Sequence, residues 1–138
     1  MPILHHEDRP WGHFDWIFDS RLAGQTLAVG QSGKDDAGFI IKSLFVLPGK
    51  RLSDQRHKNR KETWFVQSGT ATVYLELPDS AKETKTLKAG EMVEFPEMTW
   101  HRLSAENSKE PVIITEVWQG KKLDEDDIER RSDDYGRK

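Results

Sequence analysis

Short apolar and β-branched runs recur through the middle of this chain, and each one ends at a turn signal. The runs occupy residues 39–47, 63–67, 71–77, 84–87, 92–95 and 112–118. Between them stand Pro48-Gly49, Ser68-Gly69, Pro78-Asp79 and Ala89-Gly90. β-Branched and aromatic residues favour strands, and runs separated by such turns pair as antiparallel neighbours. The pattern therefore predicts an all-β protein whose strands form a double-stranded β-helix, or jelly-roll barrel.

The barrel pattern covers about residues 38–120, which leaves an extension at each end. A chain of 138 residues is within the usual size of one domain, so we predict a single domain over residues 1–138 with both extensions packed on the barrel. Helix is indicated only as short peripheral turns, chiefly near residues 125–130, where acidic residues precede basic ones as the helix dipole prefers. Residues 34–38 and 78–85 are polar, and we predict that they form exposed loops.

Composition excludes several kinds of partner and site. Charged residues make up 33% of the chain, but the net charge is only −3, so no basic field attracts nucleic acid or an anionic membrane surface. No apolar run is long enough to span a bilayer and the first residues lack an apolar signal core, so we expect a cytoplasmic protein. Cysteine is absent, which excludes disulfides and thiolate metal sites.

Four polar side chains have the spacing of ligands for a single metal ion. Gln55 and His57 are two residues apart, so on a strand they project from the same face. Glu62 follows a polar segment that we predict to be a turn, and His101 comes from a distant strand. Two imidazoles, an amide and a carboxylate suit one divalent ion, such as Zn, Mn, Fe, Co or Ni. Spacing alone does not select the ion, and we take zinc as the first choice.

The same residues carry a resemblance to the cupin superfamily. The first cupin motif is matched by Gly49, Gln55, His57, Glu62 and Gly69, with glutamine where many cupins have their first histidine. The second motif is matched by Gly90, Pro96 and His101. Met98 and Ala105 occupy the positions where that motif usually has glycine and asparagine. The resemblance implies a cupin barrel and a metal centre built by these four ligands.

Within the cupins, the chain resembles the type II mannose-6-phosphate isomerase domain. In that family the domain often forms the C-terminal half of a bifunctional enzyme, whose other half is a mannose-1-phosphate guanylyltransferase. The resemblance runs from Arg9 to Arg137 and departs at residues 59, 63, 118, 119 and 122. Its motifs are Arg9-Pro10-Trp11-Gly12, Pro48-Gly49-Lys50-Arg51-Leu52-Ser53, Gln55-Arg56-His57, Arg60-Lys61-Glu62-Thr63-Trp64, Ser68-Gly69-Thr70-Ala71, His101-Arg102-Leu103, Glu116-Val117, Leu123-Asp124-Glu125-Asp126-Asp127-Ile128 and Asp134-Tyr135-Gly136-Arg137.

This resemblance implies interconversion of mannose 6-phosphate and fructose 6-phosphate through an enediol. Such a reaction needs a polarised carbonyl, a stabilised enediolate and a base near the carbon. We predict Lys42 as the base and Arg102, beside His101, as the group that meets the developing charge or the phosphate. The basic residues Arg51 and Arg60 would bind the sugar phosphate, and Trp100 would stack on the sugar.

Two other functions are open on the same residues. One is a non-catalytic cupin that binds a sugar or a nucleotide sugar, which the replacements Asn59 and Thr63 favour. The other is a metal cupin that acts on another small polar substrate, by epimerisation or with dioxygen. We also predict a homodimer, because small cupins commonly pair through edge strands and residues 4–18 are rich in aromatic side chains.

Overall fold

The computed structural model describes residues 3–22, 38–120 and 122–136, and eleven strands lie within these ranges. The predicted loop at 34–38 therefore lies outside the described residues, except for Gly38. The strands are β1 (His5–Arg9), β2 (Gly12–Asp19), β3 (Gly38–Val46), β4 (Asp54–Arg56), β5 (Lys61–Ser68), β6 (Ala71–Glu76), β7 (Lys82–Leu87), β8 (Met92–Phe95), β9 (Trp100–Ser104), β10 (Val112–Gly120) and β11 (Glu129–Ser132).

The strands form two sheets that enclose the apolar core. One sheet has six strands in the order β1-β2-β3-β10-β5-β8, and the other has five in the order β11-β4-β9-β6-β7. Every pairing is antiparallel. Long crossovers bring β10 between β3 and β5, as in a jelly roll. The all-β prediction is confirmed, and all six predicted runs lie on strands apart from their last residues Leu47 and Leu77.

Side-chain alternation sets which face of each strand enters the core. Along β10, residues 112, 114, 116 and 118 are buried while their neighbours are half-buried, and β3 alternates in the same way. The core includes Trp64, Val73, Leu103 and Ile114. Two polar residues, Lys42 and Glu116, also point inward from the paired strands β3 and β10. Polar groups in this core are the first structural sign of a site.

The structure corrects the prediction of a helical turn near residues 125–130. This segment makes a turn at residues 125 and 126 and then enters β11, which pairs with β4. Opposite charges on the two strands support the pairing: Arg56 lies 3.1 Å from Glu129, and Arg131 lies 2.8 Å from Asp54. The predicted loop at 78–85 is also shorter, because β7 begins at residue 82.

Both extensions join the sheets. The hairpin of β1 and β2 adds to β3, and its Trp11 and Phe14 enter the core. The C-terminal residues run back over the second sheet, where Tyr135 packs on the core cluster. Within the part of the chain that the structure describes, no helix is long and apolar enough to cross a membrane.

Candidate metal centre

Three of the four predicted ligands meet inside the barrel. His57 follows the last residue of β4, Glu62 lies near the start of β5, and His101 lies on β9. The Glu62 Oε2 atom lies 2.8 Å from His57 Nε2 and 3.6 Å from His101 Nε2, and the two Nε2 atoms are 3.2 Å apart. All three side chains are buried. The three donor atoms are therefore close enough to bind one ion.

Backbone carbonyl groups orient both imidazoles. His57 Nδ1 lies 2.7 Å from the Asp127 carbonyl oxygen, and His101 Nδ1 lies 2.9 Å from that of Thr99. A carbonyl only accepts hydrogen bonds, so each Nδ1 carries the proton and, in a neutral ring, each Nε2 presents a lone pair. Two buried lone pairs that face each other at 3.2 Å need a cation or a donor beside them, and here the Arg60 guanidinium lies 3.1 Å from His57 Nε2. The arrangement fits a divalent metal, which neutral imidazoles and a carboxylate bind.

The electrostatics of the cluster hold Glu62 and His101 in their metal-binding forms. Burial would raise the pKa of Glu62, but its electrostatic interactions with His57 and His101, its hydrogen bond with His57 and the nearby Arg60 guanidinium hold that pKa well below its usual range. Burial lowers the pKa of His101 to about 4, against the opposing pull of the Glu62 carboxylate. At neutral pH, Glu62 is therefore ionised and His101 is neutral, which are the states that coordinate metal.

Gln55, the fourth predicted ligand, lies beside the cluster. It is on β4 directly opposite His101 on β9, and it lines the same cavity as Glu62. Its side-chain nitrogen donates a 3.2 Å hydrogen bond to Ser53 Oγ, which leaves the amide oxygen as the group that could coordinate. The sequence predicted Gln55 and His57 on one strand. Gln55 lies on β4, whereas His57 follows its last residue, Arg56.

Two predicted cationic residues also line the cavity. Arg60 lies against the ligands: its Nη2 is 3.1 Å from His57 Nε2, its Nε is 3.2 Å from Glu62 Oε2, and its guanidinium carbon is 3.3 Å from the ring centroid of Trp118. Such a position suits the binding of an anion beside the metal ligands. The guanidinium also stands in contact with two of the three ligand atoms, so it lies close to any ion that they would hold.

Lys42 is enclosed by groups that stabilise its positive charge. Its Nζ lies 3.1 Å from Glu125 Oε1 and 3.9 Å from Glu116 Oε1. The same atom is 4.0 Å from the ring centroid of Phe14 and 4.2 Å from that of Trp118, distances at which aromatic faces attract a cation. These contacts surround the Lys42 Nζ and suit charge stabilisation in the site. Its predicted role as the base stays a prediction.

Glu116 is the main cavity residue to which the sequence analysis assigned no role. Its two oxygens each accept a 2.7 Å hydrogen bond, one from Trp64 Nε1 and one from Trp118 Nε1. Burial, and then the neighbouring Glu62 carboxylate, raise the pKa of Glu116 to about 8. A glutamate on the buried face of the 112–118 run is the signal that could have identified it. Arg9 and Arg130 also line the cavity. In the sequence, Arg9 is part of a family motif and Arg130 lies in a charged segment, and neither feature indicated a place in the cavity.

The structure places Arg102, Arg51 and Trp100 away from this cavity. Trp100 and Arg102 flank His101 on β9, so strand alternation turns them to the opposite face. Arg102 donates from Nε to the Leu52 carbonyl oxygen at 2.8 Å, and Arg51 pairs with Asp134 at 2.7 Å. The Trp100 ring lies between two guanidinium groups, 4.5 Å from that of Arg56 and 4.4 Å from that of Arg131. For these three predicted site residues the geometry favours anchoring of the C-terminal segment, residues 122–136, over contact with substrate.

Replacing Arg102 by alanine should therefore lower stability. The guanidinium is buried and bonds to the Leu52 carbonyl and to Ser132, so its removal should cost about 1.5–3 kcal/mol, the range for hydrogen bonds to charged groups. Urea unfolding of metal-free protein measures the loss, and Lys82→Ala at the exposed start of β7 provides the control. Unchanged stability combined with lost turnover would instead return Arg102 to the catalytic role that the sequence predicted.

Comparison with known proteins agrees with the motifs. A family model described as mannose-6-phosphate isomerase C-terminal matches residues 3–133. The alginate biosynthesis protein AlgA of Pseudomonas aeruginosa is 39% identical over 94% of this chain and 22% of its own length. The mannose-1-phosphate guanylyltransferase ManC of Salmonella typhimurium is 36% identical over 97% of the chain and 24% of its own length. The chain thus spans about a quarter of these relatives or less.

Solved structures show the same fold at low sequence identity. Oxalate decarboxylase from Bacillus subtilis at pH 4.6 superimposes with a TM-score of 0.69 over 92% of this chain and 30% of that chain, at 12% identity. The Lactobacillus farciminis enzyme in its formate complex gives 0.69 at 13% identity, over 92% of this chain and 33% of that chain. These likenesses confirm the cupin jelly roll. Together with the match over residues 3–133, they lead to one conclusion: the chain belongs to the mannose-6-phosphate isomerase C-terminal family.

Proposed function

We propose that this protein is a metal-dependent sugar-phosphate isomerase that interconverts mannose 6-phosphate and fructose 6-phosphate. The buried cluster of His57, Glu62 and His101, in a chain of this family, is the observation that carries the proposal. The relative AlgA is an alginate biosynthesis protein, which supports a role in supplying mannose units for polysaccharide. A soluble enzyme of the cytoplasm, acting on a small phosphorylated sugar as a homodimer, is the form that we propose for it.

His57, Glu62 and His101, with the amide oxygen of Gln55, would hold one divalent ion. When bound, such an ion supplies Lewis-acid polarisation of the sugar carbonyl and charge stabilisation for the enediolate. We take zinc as the first choice and Mn, Fe, Co or Ni as alternatives, because two imidazoles and a carboxylate suit all of them.

The other cavity residues divide the remaining tasks. Arg60 and Lys42 supply positive charge beside the ligands, and Arg9 and Arg130 add two further guanidinium groups to the lining. Together they suit a phosphate and an enediolate oxygen. A proton that moves between C1 and C2 needs a carrier. Glu116 is a carboxyl group on the cavity wall, whereas the Lys42 Nζ already contacts the Glu125 carboxylate and two aromatic faces, so Glu116 is the better placed carrier.

The space inside the barrel sets a condition on substrate entry. The cavity measures about 80 Å³, whereas pockets for small molecules are usually about 300–1,000 Å³. Glu125, Ile128 and Arg130 from the C-terminal segment form part of its lining. A hexose phosphate therefore requires this segment to move outward, and its return would exclude water from the enediol.

The test is an isomerase assay with mannose 6-phosphate on chelator-stripped protein, before and after addition of Zn, Mn, Co, Fe or Ni. Bound metal is quantified in the same samples. We expect no turnover from stripped protein and fructose 6-phosphate after one of these ions is restored. Full metal occupancy without product from any of the five would overturn the isomerase proposal.

One observation favours a second candidate, a cupin that binds a sugar or nucleotide sugar without turnover. The cavity is small, and Arg60 and Lys42 already have carboxylate partners within it. Titration calorimetry with mannose 6-phosphate and with GDP-mannose on the metal-loaded protein separates the two functions. Saturable binding together with a negative isomerase assay would establish the binding module.

A further inference from the structure

Asp127 forms hydrogen bonds with the segment that contains the ligand His57, through both its backbone carbonyl and its carboxylate. Its backbone carbonyl oxygen lies 2.7 Å from His57 Nδ1. Its carboxylate accepts hydrogen bonds from the backbone N–H groups of Lys58 and Asn59, both at 2.9 Å. One residue of the C-terminal segment therefore holds three consecutive residues beside the candidate metal centre.

The segment that Asp127 contacts lies between two strands and is not itself part of a sheet. His57 lies after β4 ends at Arg56 and before β5 begins at Lys61, so residues 57–60 are outside both strands. The His57 carbonyl oxygen accepts one backbone hydrogen bond at 2.8 Å, from Met98 in the turn between β8 and β9. Met98 itself has a φ of 64°, in the left-handed region, at the position where the second motif usually has glycine. The His57 ring contacts Glu62, His101 and Arg60 at Nε2, and at Nδ1 its partner is Asp127.

This contact decides which nitrogen of His57 faces the cavity. An imidazole that donates from Nδ1 to a carbonyl oxygen presents Nε2 as the ligand atom, and the partner also makes the ring more basic. The two carboxylate bonds fix Asp127 relative to the 57–59 backbone, so they hold its carbonyl in front of Nδ1. Removing the Asp127 carboxylate would leave the Asp127 main chain free to shift, and its carbonyl oxygen would no longer be held in front of His57 Nδ1.

We propose that Asp127 is a positioning residue for the metal centre: by clamping residues 57–59 it fixes the tautomer and direction of His57. This inference rests on the metal site of the proposed function, but not on the isomerase reaction. The C-terminal segment also lines the cavity, so the same segment that closes the cavity holds His57 in the orientation that binds metal. When the segment moves outward, His57 loses the partner that orients it.

The test measures metal affinity on the full chain. Asp127→Ala should weaken the binding of Zn²⁺ or Co²⁺ by about 10–100-fold, the usual effect of removing an outer-shell partner. Asp127→Asn keeps one acceptor oxygen and should fall between wild type and alanine. Asp126→Ala alters the exposed neighbouring carboxylate and is the matched control, with wild-type affinity expected. Affinity is read by competition with a chromogenic chelator, and circular dichroism checks that each variant is folded.

A second measurement keeps the inference separate from the proposed function. Two-dimensional ¹H–¹⁵N spectra of the histidine rings in metal-free protein report the tautomer directly. We expect Nδ1–H for His57 in wild type and in Asp126→Ala, and a mixture of tautomers in Asp127→Ala. A folded Asp127→Ala protein with wild-type affinity and an unchanged tautomer would overturn the positioning role. Absent isomerase activity alongside the predicted affinity losses would overturn only the isomerase proposal.

Discussion

Replacing Glu62 by glutamine is expected to abolish binding of a divalent ion at micromolar concentration, and isomerase activity with it. The change keeps the size of the side chain and its oxygen acceptor for Trp64 Nε1, but it removes the only carboxylate of the ligand cluster. Loss of a ligand should exceed the ~10–100-fold effect of losing an outer-shell partner. Titration calorimetry with Zn²⁺, Mn²⁺ and Co²⁺ measures the affinity, and the mannose 6-phosphate assay measures turnover.

Glu94→Gln is the matched control for this substitution. Glu94 lies on β8 opposite Thr63 of β5, so its side chain points away from the cavity and is largely exposed. We expect wild-type metal affinity and turnover from it, since the change in charge and shape is the same. Metal bound by Glu62→Gln as tightly as by wild type would show that the ion lies elsewhere and that the ligand set is wrong.

The fold was predictable where strands carry their own pattern. Residues 112–118 alternate between the core and the outer face, and turn residues bound each of the six predicted runs. Strands β4 and β11 have no such pattern, because they are short and charged. Their conformation comes from each other, through pairs such as Arg56 with Glu129, 73 residues apart in the chain. Local sequence does not contain this information, and so the end of the chain was predicted as a helical turn.

The site was predictable where spacing encodes it. His57, Glu62 and His101 meet as the motif spacing predicted, and Lys42 and Arg60 lie in the same cavity. The prediction placed Trp100 and Arg102, which are next to the ligand His101 in the sequence, in the site. On strand β9 these two neighbours of His101 face the opposite side of the sheet. The contact between the His57 ring and the Asp127 carbonyl could not be predicted, because it joins a side chain to a main-chain group 70 residues away.

The buried Glu116 makes the free energy of unfolding depend on pH. Its pKa in the folded protein is about 8, above the usual 4.5, because burial and Glu62 disfavour the ionised form. The folded state therefore holds a proton that the unfolded state releases, and the stabilisation is complete below pH 4.5 and is lost as the pH rises through 8. His101 acts in the opposite direction. Its pKa falls from 6.5 to about 4, so its contribution is lost as the pH falls below 6.5.

From pH 6.5 to 8 Glu116 contributes most of the change, and His101 opposes it only near the lower end of the window. The slope approaches 1.36 kcal/mol per pH unit well below pH 8 and halves at pH 8, so the contribution of Glu116 to the free energy of unfolding of metal-free protein should fall by roughly 1.5 kcal/mol. His6 adds a loss of the same sign, because hydrogen bonds with Asp15 and then Asp8 raise its pKa, but it is far from the cavity. Comparison with a Glu116 variant removes this contribution, since His6 is present in both proteins.

Glu116→Gln is that variant, and its pH slope is the result to measure. Glutamine cannot ionise, so the decrease of roughly 1.5 kcal/mol between pH 6.5 and 8 should disappear, and only the contributions of His6 and His101 remain. The amide keeps one oxygen and loses the other, so one of the two tryptophan N–H groups at 2.7 Å loses its acceptor. That loss should cost about 1–3 kcal/mol at every pH, which shifts the curve without changing its slope. Urea unfolding at half-unit pH steps, with chelator present, gives both quantities. Equal slopes for the two proteins would mean that Glu116 is ionised in the folded state throughout this range, and that Lys42 neutralises it.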